Sequence, residues 1–190
     1  MKELRRPSVT TLETERLRLE PLTPKHIDSM WKSALDSMED LRRWLPWAVD
    51  ASLEETRAFA ETCESNWADN KAWVFAILKD EEAVGTIGLD DAQPDTSRAE
   101  MGYWLRTADA GKGLMTEAAA AVVEFGFEQL GLHRIELEAG VENPGSLKVA
   151  QKLGFKREGL AREAAWAGIG YYDTVRFGLL RTDSRPSIKR

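Results

Sequence analysis

Cysteine and histidine are scarce in this 190-residue sequence, and long apolar runs are missing from it. The single cysteine, Cys63, allows no disulfide within the chain and favours a reducing, cytoplasmic location. His26 and His133 are far apart and have no cysteine partners at metal-ligand spacing, so we expect no metal site. No run is long enough to cross a bilayer, and the first residues, MKELRRPSVTTLE, lack the apolar segment of a signal peptide. These absences exclude a disulfide scaffold, a zinc domain and a membrane protein.

Acidic residues outnumber basic ones by 32 to 26, which gives a net charge of −6. This balance argues against nucleic acid as a partner and suits a cationic substrate. The length fits a single domain over 1–190, with a core at about 12–183 between short basic termini. The basic residues of these termini, which we expect to be solvated, are Lys2, Arg5, Arg6, Arg181, Arg185, Lys189 and Arg190.

Hydrophobic periodicity predicts alternating helices and strands. The predicted strands are 12–20, 73–78, 83–89, 99–106, 134–141, 162–167 and 172–181, with a loop at 90–98. The predicted helices are 25–35, 38–45, 52–67, 114–130 and 146–153. This pattern is typical of an α/β domain with a mixed sheet.

The stretch from Met101 to Ala118 runs from an aromatic strand through a glycine loop into an alanine-rich helix. Such a loop binds phosphate well, because the first helical N–H groups are unpaired and the helix dipole favours an anion. Lys112 is followed by Gly113 rather than by Ser or Thr, so the loop is not a P-loop. Thr116 stands at the third glycine position of a dinucleotide fingerprint, which excludes that motif too. A plain glycine turn between strand and helix stays open as an alternative.

Two motifs together are more specific than the loop alone. AEMGYWLRTADAGKGLMTEA is followed about 25 residues later by VENPGSLKVAQKLGFKREG, and LETERLRLEPLTPKHI, RRWLPWA and YYDTVRFGLLRTD occur in matching order. This arrangement resembles the GNAT superfamily of acetyl-CoA-dependent N-acetyltransferases, and within it the ribosomal-protein N-terminal acetyltransferases. The resemblance covers roughly 12–183. It implies a mixed, mostly antiparallel sheet of about seven strands flanked by helices, with acetyl-CoA as cosubstrate, no metal, and a homodimer as one oligomeric state.

The resemblance also assigns roles in the first motif. Glu100, at the start of the central strand, would deprotonate the acceptor amine through water; a strand-edge carboxylate facing solvent is the alternative reading of this residue. A backbone N–H near Tyr103 to Leu105 would hold the oxyanion. The positions implied to contact coenzyme are Tyr103, Trp104, Leu105, Arg106, Gly111, Lys112, Gly113, Leu114, Met115 and Thr116. Arg106 and Lys112 are equally well explained as surface cations. The family's usual Gln or Arg three residues before the first glycine is Ala108 here.

In the second motif, Asn143 corresponds to a contact with the pantetheine arm, and Ser146 to the proton donor for the leaving thiolate, acting through water. Asn143-Pro144 is also a turn opener and Ser146 a plausible helix N-cap, so local structure explains both residues as well. Tyr172 is an alternative acid. The resemblance places Trp44 and Trp47 in the segment that walls the acceptor groove, and Trp166, with Tyr172, in the late hairpin facing it; such aromatic walls can desolvate an amine.

Three functions follow as hypotheses. The first is acetyl transfer from acetyl-CoA to the N-terminal α-amine of a protein, within a ternary complex. The second is the same chemistry on a small molecule such as a polyamine, an amino acid or an antibiotic. The third is a non-catalytic acyl-CoA-binding regulatory module. Fold alone does not choose among acceptors.

Overall fold

An eight-stranded sheet is the centre of the computed structural model, which describes residues 4–8 and 10–186. The strands are β1 (Leu12–Glu13), β2 (Arg18–Pro21), β3 (Trp73–Lys79), β4 (Glu82–Gln93), β5 (Arg98–Leu105), β6 (Arg134–Gly140), β7 (Lys156–Ala167) and β8 (Gly170–Leu180). The helices are α1 (Ile27–Leu35), α2 (Met38–Leu41), α3 (Leu53–Ala68), α4 (Leu114–Glu124) and α5 (Pro144–Leu153). A π-helical turn, Phe125–Gln129, prolongs α4, and single 3₁₀ turns lie at Pro24–His26, Pro46–Ala48 and Thr107–Asp109.

The strand order is β1-β2-β3-β4-β5-β6-β8-β7, and every neighbouring pair is antiparallel except β5 with β6. The predicted α/β fold with a mixed, mostly antiparallel sheet is confirmed. The strand number differs from the predicted seven because the first predicted strand, 12–20, is broken into β1 and β2.

The break lies at residues 14–17, which turn towards α4. Thr14 N donates to Leu17 O at 2.9 Å, and Leu17 N donates to Thr14 Oγ1 at 3.0 Å. The Glu117 carboxylate on α4 accepts hydrogen bonds from Thr14 Oγ1 at 2.7 Å and from Arg16 N at 2.8 Å. A carboxylate about 100 residues away therefore ends the strand. The alternation of leucines in 12–20 does not predict this break, because it depends on a distant residue.

Both faces of the sheet are covered. On one face, Met101 packs with Val122 in the core shared with α4 and α5. On the other, Trp104 belongs to the core that contains Met30 of α1 and Cys63 of α3. Burial raises the pKa of the Cys63 thiol to about 12, so this cysteine is a packing residue rather than a nucleophile. The side chains of β5 thus alternate between a helix face (α4, α5) and an opposite face covered by α1 and α3.

Two strands are longer than predicted. β4 continues to Gln93 through an irregularity at Asp90, into the predicted loop 90–98. β7 begins at Lys156 rather than near 162. β7 is an edge strand and most of its side chains are exposed, so it lacks the apolar alternation that marks a strand in sequence.

The basic termini contact the end of α4. Arg5 N donates to Leu130 O at 3.1 Å, and the Arg185 guanidinium lies 4.9 Å from the centre of the Phe127 ring. The predicted terminal residues Lys2, Lys189 and Arg190 lie outside the described residues. Within 4–8 and 10–186, none of the helices combines the length and apolarity that a bilayer crossing requires.

Candidate active site

The two central strands separate along their length. β5 and β6 are paired only at Arg98–Arg134, Ala99–Ile135 and Glu100–Glu136. Beyond these positions the described strands have no common register, so Met101–Leu105 and the end of β6 form the two sides of a wedge. An unpaired strand edge presents backbone N–H and C=O groups, which an extended ligand rich in amides can bind.

Two carboxylates stand at the fork of this wedge. Glu100 on β5 is directly opposite Asp90 on β4, so both project to the same face as Trp104. Burial, and then the Asp90 charge, raises the pKa of Glu100. Burial, and then the Asp91 charge, raises the pKa of Asp90, although Asp90 is open to solvent within the groove. No cation among the described residues forms an ion pair with Glu100 or Asp90, so the fork favours a cationic ligand.

The floor beside these acids is bare. Gly102 follows Glu100 by two residues on the same face, and it is exposed. A Cβ atom built on Gly102 has only one neighbour within 4 Å, Asp90 Oδ2 at 4.0 Å. A glycine within a strand often marks the place where a ligand approaches the backbone.

The opposite face of the wedge carries hydroxyl groups. Tyr103 OH and Ser146 Oγ, on β5 and α5, are joined by a hydrogen bond of 2.7 Å. Burial raises the pKa of Tyr103 to about 12. The hydrogen bond with Ser146 lowers this pKa, but its effect is smaller than that of burial. Asn143 Oδ1 accepts from Ser146 N at 3.1 Å and so caps α5. The N-cap of α5 is therefore Asn143 and not Ser146, so the alternative reading of Ser146 as the cap is wrong: Ser146 lies in the first turn of the helix, where its hydroxyl faces Tyr103.

The glycine loop lies at the end of β5, as predicted. Gly111 and Gly113 have φ of 74° and 83°, a left-handed backbone that glycine adopts without strain. A Cβ atom at Gly111 would meet nothing within 4 Å, so the loop is open on that side. Gly113 is the N-cap of α4, and the first N–H groups of this 11-residue helix begin at Leu114. The geometry suits an anion.

The two basic residues predicted beside this loop are already engaged. Arg106 forms ion pairs with Asp109 at 2.7 Å and with Glu82 at 3.3 Å. Lys112 Nζ donates to the Ala108 carbonyl at 2.6 Å. Both side chains therefore stabilise the loop and the turn that leads into it. A bound phosphate would compete with these contacts.

Arg16 is a cation at the loop that sequence reasoning missed. Its Nη1 donates to Lys112 O at 3.1 Å, and its Nη2 lies 3.6 Å from the Cβ position of Gly113. Glu117 holds the guanidinium at 2.6 Å. Burial opposes ionisation of Glu117, but hydrogen bonds from Thr14 and Arg16 keep the pKa of this carboxyl below its usual range. Arg16 thus places a guanidinium at a loop in which Ala108 supplies no charge and, like Arg106, it is already paired, here with Glu117.

A short segment, residues 42–48, connects the two sides of the wedge; we call it the crossing segment. Trp47 packs on Trp104 of β5 with ring centres 5.8 Å apart. Trp44 packs edge-on against Tyr172 of β8 at 5.7 Å, and its ring covers Gly140 at the end of β6. Tyr172 OH donates to Trp44 O at 2.8 Å. Trp44 and Tyr172 thus contact each other beside the end of β6, and Trp47 contacts β5; that these rings wall an acceptor groove stays a prediction.

Trp166 is placed differently. Tyr172 pairs with Ala165, and Trp166 pairs with Tyr171 one residue further along the hairpin. Because neighbouring residues of a strand project to opposite faces, Trp166 points away from the face on which Tyr172 meets Trp44. Its side chain is 46% exposed. The expectation that Trp166 faces the groove is therefore not met.

The described residues contain no cluster of three or more His, Cys, Asp or Glu side chains suited to a metal ion. The groups around the wedge are instead carboxylates on one face, hydroxyls on the other and backbone amides at its end. This set can transfer protons and bind an anionic, amide-containing ligand.

Comparison with known proteins finds relatives along most of this chain. A putative ribosomal N-acetyltransferase of Bacillus subtilis (strain 168) is 29% identical over 89% of this chain and 93% of its own length. The ribosomal-protein-serine acetyltransferase of Escherichia coli (strain K12) is 27% identical over 84% of this chain and 90% of its own. A solved ribosomal-protein α-N-acetyltransferase in complex with coenzyme A shares the fold with a TM-score of 0.84, at 22% identity, over 90% of this chain and 97% of its own.

The family model described as acetyltransferase (GNAT) domain matches residues 16–156, a span that includes the loop, the wedge and the start of α5. Because this match covers well over half of the chain, the protein belongs to the GNAT acetyltransferases and is an acetyl-transferring enzyme.

Proposed function

We propose that this enzyme transfers the acetyl group of acetyl-CoA directly to the N-terminal α-amine of a protein, such as a ribosomal protein, in a ternary complex. The observation that carries the proposal is the separation of β5 from β6 immediately after Glu100. It leaves a strand edge for a donor and places a carboxylate with raised pKa at the same point. The relatives named for ribosomal-protein acetylation support the choice of acceptor.

In this proposal the coenzyme lies in the wedge. Its pantetheine arm follows the backbone of β5 from Tyr103 to Arg106, and its pyrophosphate binds the N–H groups of Gly111 to Thr116. Arg16 contributes charge from the side of the loop. The α-helix N-terminus and the open glycine backbone are the features that support this placement.

The two proton transfers then take place on opposite faces of the wedge. Glu100 removes the proton of the amine on the face covered by α1 and α3, through water. A backbone N–H near Tyr103 stabilises the oxyanion. On the helix face, a water molecule held by Ser146, which is hydrogen-bonded to Tyr103, protonates the leaving thiolate and regains its proton from solvent. An α-amine has a pKa near ~8 against ~10.4 for a lysine side chain, so its deprotonation requires a weaker base.

The function is tested by measuring thiol release from acetyl-CoA with a panel of acceptors: peptides that begin with Ser or Ala, polyamines and aminoglycosides. Turnover that depends on peptide supports the proposal. Turnover with the small amines alone would overturn it in favour of a small-molecule acetyltransferase, which the acidic fork also accommodates. Tight coenzyme binding without turnover on any acceptor would favour the binding module.

Replacing Arg16 tests the coenzyme site. We expect Arg16→Gln to weaken coenzyme A binding about tenfold, equivalent to ~1.4 kcal/mol, because a charge-assisted contact to phosphate is lost. Isothermal titration measures the Kd. The control is Arg162→Gln, the same charge change on the exposed edge strand β7. An unchanged Kd in a variant that melts like the wild type would remove Arg16 from the site.

A pair of variants tests which hydroxyl is the acid. The Tyr172 hydroxyl already donates to the Trp44 carbonyl. We therefore expect Tyr172→Phe to lose about 1 kcal/mol of unfolding free energy, measured by urea denaturation, with kcat within about threefold of wild type. Ser146→Ala should lower kcat at least about tenfold. The opposite pattern, a large kcat loss in Tyr172→Phe with little in Ser146→Ala, would assign the acid to Tyr172.

A further inference from the structure

A cavity of about 500 Å³ opens between α1, the stretch that follows the crossing segment and the first half of α3. Its walls are mainly apolar and include Met30, Pro46, Trp47, Phe59 and Trp104. This volume and this composition are those of a ligand pocket rather than of a packing defect.

The cavity continues the floor of the acceptor groove. Trp104 lines it and lies on the same strand and face as Gly102 and Glu100. Alternate residues of a strand are about 7 Å apart, so Trp104, a residue of the cavity wall, lies about 7 Å along β5 from Gly102. An extended peptide covers this distance in two residues. A side chain shortly after a reacting N-terminus would therefore reach the cavity.

The rim of the cavity is acidic. Asp50 and Glu55 line it, and none of its lining residues is a lysine or an arginine. Asp50 is exposed, and no described residue forms an ion pair with it. Glu55 accepts from the hydroxyl of Ser52, the N-cap of α3, at 2.8 Å, which keeps its carboxylate at the rim.

We propose that this cavity binds an arginine or lysine side chain of the acceptor, two or three residues from the acetylated amine. The inference rests on the proposed function and names the sequence class of its substrate. The aliphatic stem packs on the apolar walls, the cationic group lies against the faces of Trp47 and Phe59, and Asp50 pairs with its charge. A leucine would leave Asp50 without a partner, and a glutamate would be repelled by it.

The test compares peptides that begin with Ser and differ only at positions two and three, where Arg, Lys, Leu or Glu is placed. We expect kcat/KM for the cationic peptides to exceed that for the Leu peptides about tenfold, mainly through KM. Asp50→Asn should reduce this preference to about threefold or less. The control, Glu54→Gln, removes a neighbouring charge of α3 outside the cavity and should keep the full preference.

A binding measurement separates this inference from the proposed function. Quenching of tryptophan fluorescence, with coenzyme A bound, reports peptide binding next to Trp47 and Trp104 without turnover. Tighter binding of Lys and Arg peptides, reduced to about threefold or less by Asp50→Asn, supports the cavity assignment, whether or not thiol is released. Equal binding or equal turnover of the Lys, Leu and Glu peptides would overturn the inference. Failure of all peptides as substrates would overturn only the proposed function.

Discussion

Glu100→Gln should lower kcat between roughly 100-fold and 10,000-fold, the range that a positioned general base contributes. The substitution keeps the size of the side chain and removes its ability to accept the proton of the amine. Coenzyme A affinity should be unchanged, because Glu100 lies on the face opposite Ser146. Single-turnover acetylation of a peptide that begins with Ser measures the effect, with Asp95→Asn, an exposed acid in the turn before β5, as control. A loss of less than about tenfold would assign Glu100 to structure.

The dependence of the wild-type rate on pH should also report the protonation of Glu100. Burial and Asp90 raise the pKa of Glu100, so the base becomes protonated at a pH above its ordinary value of 4.5. The rate should therefore fall on the acid side at a pH higher than a solvated glutamate would give. This limb should be missing in Glu100→Gln.

The raised pKa of Glu100 also determines how this residue affects the stability of the fold. The folded protein holds the proton of Glu100 more tightly than the unfolded chain does, so ionising this group at neutral pH destabilises the fold. We expect Glu100→Gln to melt at a higher temperature than the wild type at pH 7. The difference should shrink as the pH falls through the raised pKa. A less active but more stable variant is typical of an active-site residue.

Gly102→Val should abolish acetyl transfer, with a loss of at least about 100-fold, while leaving the fold intact. Gly102 has ordinary strand geometry, and a Cβ atom there touches only Asp90 Oδ2 at 4.0 Å. Valine favours strands more than glycine does, so the melting temperature should stay equal or rise. The added methyl groups would occupy the floor where the proposed function places the acceptor amine.

The matched control is Gly159→Val on β7, where a Cβ atom meets nothing within 4 Å. We expect this variant to keep wild-type turnover. Titration of coenzyme A separates the two halves of the site, since Gly102→Val should retain the coenzyme within about threefold. Wild-type turnover in a folded Gly102→Val protein would move the acceptor away from this face.

Much of this site can be predicted from the sequence, because its turns and helix start depend on residues that are close together in the chain. Gly111 and Gly113 occupy the positive-φ positions that only glycine adopts without strain, and they precede a helix start, as the motif predicts. Asn143 caps α5 with its own side chain, a local interaction that agrees with the turn predicted at Asn143-Pro144. The tryptophans on either side of Pro46 meet opposite sides of the wedge through a short, rigid link.

The features that sequence reasoning missed depend on contacts between distant elements. Arg16 reaches the glycine loop because Glu117 holds the turn between β1 and β2 against α4. Asp90 faces Glu100 only through the β4–β5 register. The register of the late hairpin turns Trp166 away and Tyr172 inwards. None of these pairings leaves a periodic or compositional signal in either partner alone.

The central claim is that the acidic fork beside Gly102 receives an α-amine. The most direct measurement is to locate the acetyl group, by tandem mass spectrometry, on a peptide that begins with Ser and carries one lysine at position three. We expect a single acetyl group on the α-amine, with none on the lysine, and at least about 100-fold slower formation of this product with Glu100→Gln. Acetylation of the lysine side chain, or of polyamines while the peptide stays unmodified, would contradict it.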